Sequence, residues 1–255
     1  MIPENSGISY RYLSKIYDTC KSSFWENYSR FLNPYFQGEK KSVLDLGCGT
    51  GLAIDYLKCE PKDYKGVDYS TEMLEVARKK FPDHLFYTKS ILEVDFAQQF
   101  DFVLAAFDTL NHFLSPGDWK KVFNIASQHL GPNGKFVFDV FSTYDLEVNW
   151  PNQLNLTESE DWVYVQRSTY DPKSKIGSIK NTIFQKEGSN WLRLDDTIAN
   201  ISFPIAEITI LLAEAGLTCL QIVDLETGKN ATDTSATLAF VCEKKLTDLL
   251  CLQMI

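Results

Sequence analysis

From residue 43 onward, short apolar runs alternate with segments in which apolar residues recur every three or four positions. The runs near 43–47, 64–68, 84–88, 101–106 and 135–140 have the length and composition of buried strands. Between them lie three apolar helix faces: Leu52, Ala53, Ile54, Tyr56 and Leu57; Met73, Leu74, Ala77 and Phe81; and Trp119, Val122, Phe123, Ala126 and Leu130. Ser70 is placed to cap the second helix, with Glu72 in its first turn, and Ser115-Pro116 to open the third. Gly131-Pro132-Asn133-Gly134 should stop that helix. Strict alternation of this kind predicts an α/β fold with a parallel sheet.

Two stretches depart from it. Over 9–36, Tyr10, Leu13, Ile16 and Tyr17, then Phe24, Trp25, Tyr28, Phe31 and Leu32, recur at helical spacing, and Asn33-Pro34 and Gly38 end the segment. Strand-like segments near 161–170, 176–186 and 191–201 are joined by two turn-rich links, which predicts a three-stranded antiparallel insertion. A helix then runs from Pro204 to Gly216, and strands near 218–225 and 236–243 complete the sheet as a hairpin-like edge. The expected organisation is a helical lid (1–38), a core (39–149 and 202–245), an antiparallel β insertion (150–201) and an apolar tail (246–255). The tail either packs back on the domain or covers a partner subunit, which would make a homodimer.

The 255 residues suffice for one well-cored domain. A net charge of −9 disfavours a nucleic-acid partner, because a protein gripping a phosphate backbone usually carries a basic face. Six scattered cysteines, with no C-x-x-C, read as reduced thiols rather than a metal site, so no metal is expected. No basic-then-apolar leader opens the chain, and no apolar run approaches the roughly 20 residues that span a bilayer. A cytoplasmic protein with no membrane partner is expected.

The chemistry concentrates in Val43-Leu44-Asp45-Leu46-Gly47-Cys48-Gly49-Thr50-Gly51. A strand runs into glycines at alternate positions and then into a helix, the first half of a nucleotide-binding βαβ unit. The pattern is G-x-G-x-G, and Leu52 stands where a dinucleotide fingerprint would place its third glycine. Further on, Tyr64-Lys65-Gly66-Val67-Asp68 ends in an acid able to accept hydrogen bonds from both ribose hydroxyls. A pyrophosphate would gain nothing from the extra charge of Asp45; a ligand carrying an ammonium and a sulfonium would.

These residues resemble motif I of the class I S-adenosylmethionine-dependent methyltransferases, and Gly66-Val67-Asp68-Tyr69-Ser70 resembles their motif II. The resemblance implies a Rossmann-like seven-stranded sheet, mostly parallel with an antiparallel C-terminal strand. It implies S-adenosylmethionine as cofactor and S-adenosylhomocysteine as product. By the same resemblance Gly47, Cys48, Gly49 and Gly51 form the loop, Asp45 orients the methionine end and Asp68 holds the ribose. Tyr69 and Met73 would pack on adenine, and Ser90, beside Ile91, replaces the acid that usually binds the adenine amino group. Tyr10-Arg11-Tyr12-Leu13-Ser14-Lys15-Ile16-Tyr17-Asp18 resembles the N-terminal helix of many small-molecule methyltransferases, which would bring Tyr10 and Tyr17 to the cofactor or the acceptor.

Methyl transfer from a sulfonium mainly requires alignment and exclusion of water. Ligands sit beyond the carboxyl ends of parallel strands, so the residues after the fourth strand are the candidates. Phe107 would flank the methionine arm. Asn111 and His112 lie near the expected methyl position, and His112 is the best base candidate, since an unperturbed imidazole titrates near neutrality. Alternatively Asn111 and His112 only satisfy backbone groups in a turn. Asp108 and Ser142 would hold the substrate or the cofactor's amino acid end. The stretch after the fourth strand lacks the proline pair of nucleic-acid amino-methylating members. With the insertion, it resembles bacterial small-molecule methyltransferases instead, some of which methylate amines. Trp162, Tyr164, Tyr170, Phe184 and Trp191 would then wall the acceptor pocket. N-methylation is favoured over O-methylation. Two rivals stay open: a non-catalytic binder of the same cofactor, and an NAD-dependent oxidoreductase.

Overall fold

A computed structural model describes residues 10, 12–37, 41–57 and 63–245, without the side chains of 21–25. The tail 246–255 lies outside the described residues. The core strands are β1 (Ser42–Leu46), β2 (Asp63–Asp68), β3 (Leu85–Thr88), β4 (Phe100–Ala105) and β5 (Leu130–Phe141). The insertion follows as β6 (Leu154–Glu158), β7 (Trp162–Asp171), β8 (Ile176–Glu187) and β9 (Asn190–Asn200), and β10 (Leu217–Asp224) and β11 (Thr237–Lys244) return to the core.

The seven core strands lie in the order β10-β11-β5-β4-β1-β2-β3. β1 to β5 pair in parallel, and β11 runs antiparallel to both of its neighbours. The order reverses at β1 and β4, so the chain ends of these strands open a crevice where ligands gather.

Side chains alternate across the sheet. Leu44, Leu46, Val103, Phe136 and Phe138 pack on one face with Trp119 and Phe123 of α4 (Pro116–His129). Val43, Leu104 and Val137 pack on the other with Tyr28 and Leu32 of α1 (Tyr17–Leu32) and Leu52 of α2 (Leu52–Tyr56). The capping residues act as their sequence positions predict. Ser70 accepts the Met73 N–H at the start of α3 (Thr71–Lys80), and Ser115 accepts the Asp118 N–H at the start of α4.

The insertion has four strands, ordered β6-β7-β8-β9, where three were expected. All five residues of β6 are exposed, so no burial pattern marks it; only backbone pairing to β7 makes it a strand. The turn expected at 131–134 sits within β5. Leu130 pairs with Phe100 and Lys135 with Phe102, so the four residues between them loop out of the register. A third apolar cluster (Leu13, Ile16, Met73, Tyr164, Ile183) joins the N-terminal segment to the insertion. Among the described residues no helix is long and apolar enough to cross a membrane.

Candidate active site

At the end of β1 the chain turns through Gly47, Gly49 and Gly51, all with positive φ. Gly47 has a second constraint: a Cβ there would lie 2.7 Å from Thr109 Oγ1. Its N–H and that of Cys48 both donate to the Val67 carbonyl, at 2.7 and 3.0 Å. The Asp68 carboxylate accepts the Gly49 N–H at 2.9 Å and the Ser70 N–H at 2.8 Å. One acid at the end of β2 therefore clips the loop at the end of β1. Burial raises the Asp68 pKa, against the pull of these backbone donors.

After β4 the chain makes a second tight turn. Phe107 and Asp108 have φ of 66° and 51°, left-handed values that a side chain rarely adopts. Asp139, near the carboxyl end of β5, holds them there: its carboxylate accepts the Phe107 N–H at 2.6 Å and the Asp108 N–H at 3.0 Å. Asp139 is fully buried, which pushes its pKa up to about 7. A short 3-10 turn (Thr109–His112) follows and brings His112 Nε2 to 3.8 Å from the Asp108 carboxylate.

The two turns face one cavity under the N-terminal segment and the insertion. Of the residues expected from sequence, Tyr10, Tyr17, Gly47, Gly49, Asp68, Tyr69, Met73, Ser90, Ile91, Phe107, Asp108 and His112 line it. Tyr10 meets Tyr69 edge-on at 6.0 Å, and Tyr17 tilts against Phe107 at 5.8 Å. Burial first, then neighbouring groups, hold both tyrosine hydroxyls well above their usual pKa. They stay protonated near neutrality, so Tyr17 can orient a ligand but is unsuited to the role of base.

Six expected residues do not reach the wall. Asp45, on β1, is buried, the Tyr64 hydroxyl donates to its carboxylate at 2.5 Å, and it is not among the residues that line the cavity. Cys48 is buried, and a Cβ on Gly66 would lie 2.6 Å from its Sγ; the thiol fills a packing gap. Gly51 caps α2 beneath Phe81. Asn111 is wholly buried and its amide is spent on the backbone, donating to the carbonyls of Phe141 and Ile201 and accepting the Phe141 N–H. It ties three segments together and has no catalytic reach. Ser142 accepts the Asp145 N–H at 3.0 Å as a turn cap. Trp162 packs against the third apolar cluster. Of the five insertion aromatics expected as walls, Tyr164 alone lines the cavity; Trp191 is 48% exposed.

The rest of the wall escaped sequence reasoning. Gln166, Ile179, Asn181, Ile198 and Asn200 line the cavity from β7, β8 and β9. A signal existed: Asn181 and Asn200 occupy the buried phase of strands whose buried neighbours are Ile183 and Tyr164. Asp139 carried the same signal, an acid inside the run Val137-Phe138-Asp139-Val140.

A family described as methyltransferase domain matches residues 43–134, the segment holding both turns. A putative methyltransferase of Geobacillus sp. strain WCH70 is 28% identical over 86% of this chain and 92% of its own length. The dTDP-4-amino-2,3,4,6-tetradeoxy-D-glucose N,N-dimethyltransferase of Saccharopolyspora spinosa is 27% identical over 40% of this chain and 41% of its own. A crystal structure of an S-adenosylmethionine-dependent methyltransferase from Clostridium acetobutylicum shares the fold, with a TM-score of 0.81 at 23% identity over 92% of this chain and 98% of that one. Residues 43–134 thus match a methyltransferase domain, and nearly the whole chain is similar in sequence to putative methyltransferases and in fold to an S-adenosylmethionine-dependent one.

Proposed function

We propose that the enzyme moves a methyl group to the nitrogen of a small-molecule amine. The observation that carries this reading is the Asp108–His112 pair, held at the cavity wall on a strained turn and facing the insertion. The glycine loop and Asp68 suit the cofactor. The Asp68 carboxylate, bonded to the Gly49 and Ser70 N–H groups, lines the cavity, where it can accept from a ribose hydroxyl. Tyr69, Met73 and Ile91 offer apolar surface for adenine, and Ser90 Oγ, which already accepts the Leu92 N–H, is the polar group beside it. Bound there, S-adenosylmethionine supplies a methyl group on a sulfonium whose sulfur keeps the bonding pair when it leaves.

The protein's own part is to hold the amine and manage its charge. An amine that gains a methyl group becomes cationic, and the Asp108 carboxylate favours that charge as it develops. His112, oriented by Asp108, takes the surplus proton from nitrogen. Tyr17 and Tyr10 cover the site and exclude water. The sugar N,N-dimethyltransferase of Saccharopolyspora spinosa supports nitrogen as the acceptor atom.

The test has two stages. Calorimetric titration should show binding of S-adenosylmethionine and S-adenosylhomocysteine, with NAD silent. Turnover should then appear with primary amines and not with the matching alcohols; the reverse preference would sink the proposal. His112→Ala should lower kcat by about 10²-fold or more while cofactor affinity holds.

A further inference from the structure

The wall contributed by the insertion is built from carboxamides. We propose that Gln166, Asn181 and Asn200 select an amine that carries hydroxyl groups and no anionic group, with Asn181 and Asn200 as its specificity-determining residues. This rests on the amine-methylating reading above and adds the chemistry of the rest of the acceptor.

The strand register sets the wall. Gln166 pairs with Asn181 and Tyr164 with Ile183 across β7 and β8; Ile179 pairs with Ile198 and Gly177 with Asn200 across β8 and β9. Side chains alternate along a strand, so Tyr164, Gln166, Asn181, Ile179, Ile198 and Asn200 share one face. All six line the cavity.

Asn181 is 2% exposed. Its Oδ1 accepts both the Tyr164 hydroxyl at 2.9 Å and Gln166 Nε2 at 3.3 Å. With the oxygen doubly engaged, Nδ2 remains as the donor of this amide. Asn200 is wholly buried, and neither its Oδ1 nor its Nδ2 has a hydrogen-bond partner. An unpaired buried amide destabilises the fold and calls for a counterpart. Its place is fixed by the next residue: the Ile201 N–H donates to the Asn111 carbonyl at 2.9 Å, and Asn111 Nδ2 donates to the Ile201 carbonyl at 2.8 Å. This lock sets Asn200 beside the turn that carries Asp108 and His112. A carboxamide offers a donor and an acceptor together, which matches a hydroxyl in both of its roles.

Charge decides the second half of the proposal. Among the described residues lining the cavity there is no lysine or arginine, whereas Asp68 and Asp108 both line it. A phosphate or carboxylate on the acceptor would enter a cavity lined by two carboxylates and by no described lysine or arginine, in a partly buried site where screening is weak. A free hydroxylated amine fits; a nucleotide-linked one does not.

Three matched amines test this: glucosamine, cyclohexylamine, which lacks the hydroxyls, and glucosamine 6-phosphate, which adds an anion. Binding to the S-adenosylhomocysteine complex is read by ligand-observed NMR, and turnover by transfer of labelled methyl. Glucosamine should exceed both others by about 10-fold or more in binding and in kcat/KM. Asn200→Leu and Asn181→Leu should each remove that preference through KM. They should leave cofactor affinity unchanged, and Asn200→Leu should not lower Tm, because it replaces an unpaired amide with an apolar side chain. Preference for the phosphate, or failure of all three to bind, overturns the proposal. So does a loss in Asn200→Leu that falls equally on cyclohexylamine and comes with a lower Tm. Binding of glucosamine that depends on Asn200 but leads to no transfer upholds the wall and overturns the amine-methylating reading instead.

Discussion

The Asp139 carboxylate accepts the backbone N–H of Asp108 at 3.0 Å, so a buried acid near the end of one strand sets the direction of a second acid just past the end of its neighbour. The same carboxylate holds Phe107 at 2.6 Å. Two successive residues with positive φ cost on the order of 1–2 kcal/mol each, and Asp139 is what offsets this. Asp139→Asn leaves one oxygen for two donors and turns an NH₂ toward the other. It is expected to lower kcat/KM for the acceptor by about 10-fold or more, with a smaller effect on cofactor affinity. Steady-state kinetics beside a cofactor titration checks this; equal losses in both would point to general unfolding of the site.

Gly47→Ala should damage both turns at once. The new Cβ would lie 2.7 Å from Thr109 Oγ1 and 2.8 Å from its Cγ2, at a φ of +80°. Left-handed strain of about 1–2 kcal/mol adds to overpacking of about 1–3 kcal/mol. Chemical denaturation should show a drop of that order, and calorimetry a weakened cofactor. Adding Thr109→Ser, which removes the Cγ2, should recover part of the loss.

Burial makes stability depend on pH through Asp45 and Asp139, each pushed up to about 7. Unfolded aspartates titrate near pH 3.9, so between about pH 4 and pH 7 the folded chain holds protons that the unfolded chain has released. Stability from these groups is therefore greatest at low pH and falls as pH rises through about 7. Asp45→Asn keeps an oxygen for the Tyr64 hydroxyl and cannot ionise. The difference in Tm between pH 5 and pH 8 should shrink in this variant; an unchanged difference would show that Asp45 is not the titrating group.

Asn111→Ala is expected to act on the fold rather than on the chemistry. It strands the carbonyls of Phe141 and Ile201 and the Phe141 N–H, all bonded to this amide. Each orphaned buried group costs about 1–3 kcal/mol, so a total loss of several kcal/mol is expected by denaturation. In whatever fraction stays folded at low temperature, kcat should remain within a few-fold of the parent enzyme.

The order of core strands and helices, the glycine loop and both helix caps were legible in the sequence, because each rests on local patterns. Apolar periodicity marks β1 to β5, Ser70 and Ser115 cap the helices that follow them, and the spacing of Gly47, Gly49 and Gly51 with Asp68 marks the loop that the Asp68 carboxylate clips. Strand β6 was not legible, since a fully exposed strand leaves no trace in hydrophobicity.

What the chain order could not specify is which polar residue near the site faces the ligand. Asp45 and Asp68 both end strands beside the loop, yet one turns back to Tyr64 and the other turns to the cavity. Asn111 and His112 are neighbours, yet the first is consumed by Phe141 and Ile201 and only the second reaches the wall. The carboxamide wall depends on strand register across residues up to 34 positions apart, from Gln166 to Asn200. Local sequence determined the scaffold and the loop, because turns and periodicity are short-range effects. The direction of each side chain and the composition of the acceptor wall were decided by long-range pairing, which only the folded chain brings into being.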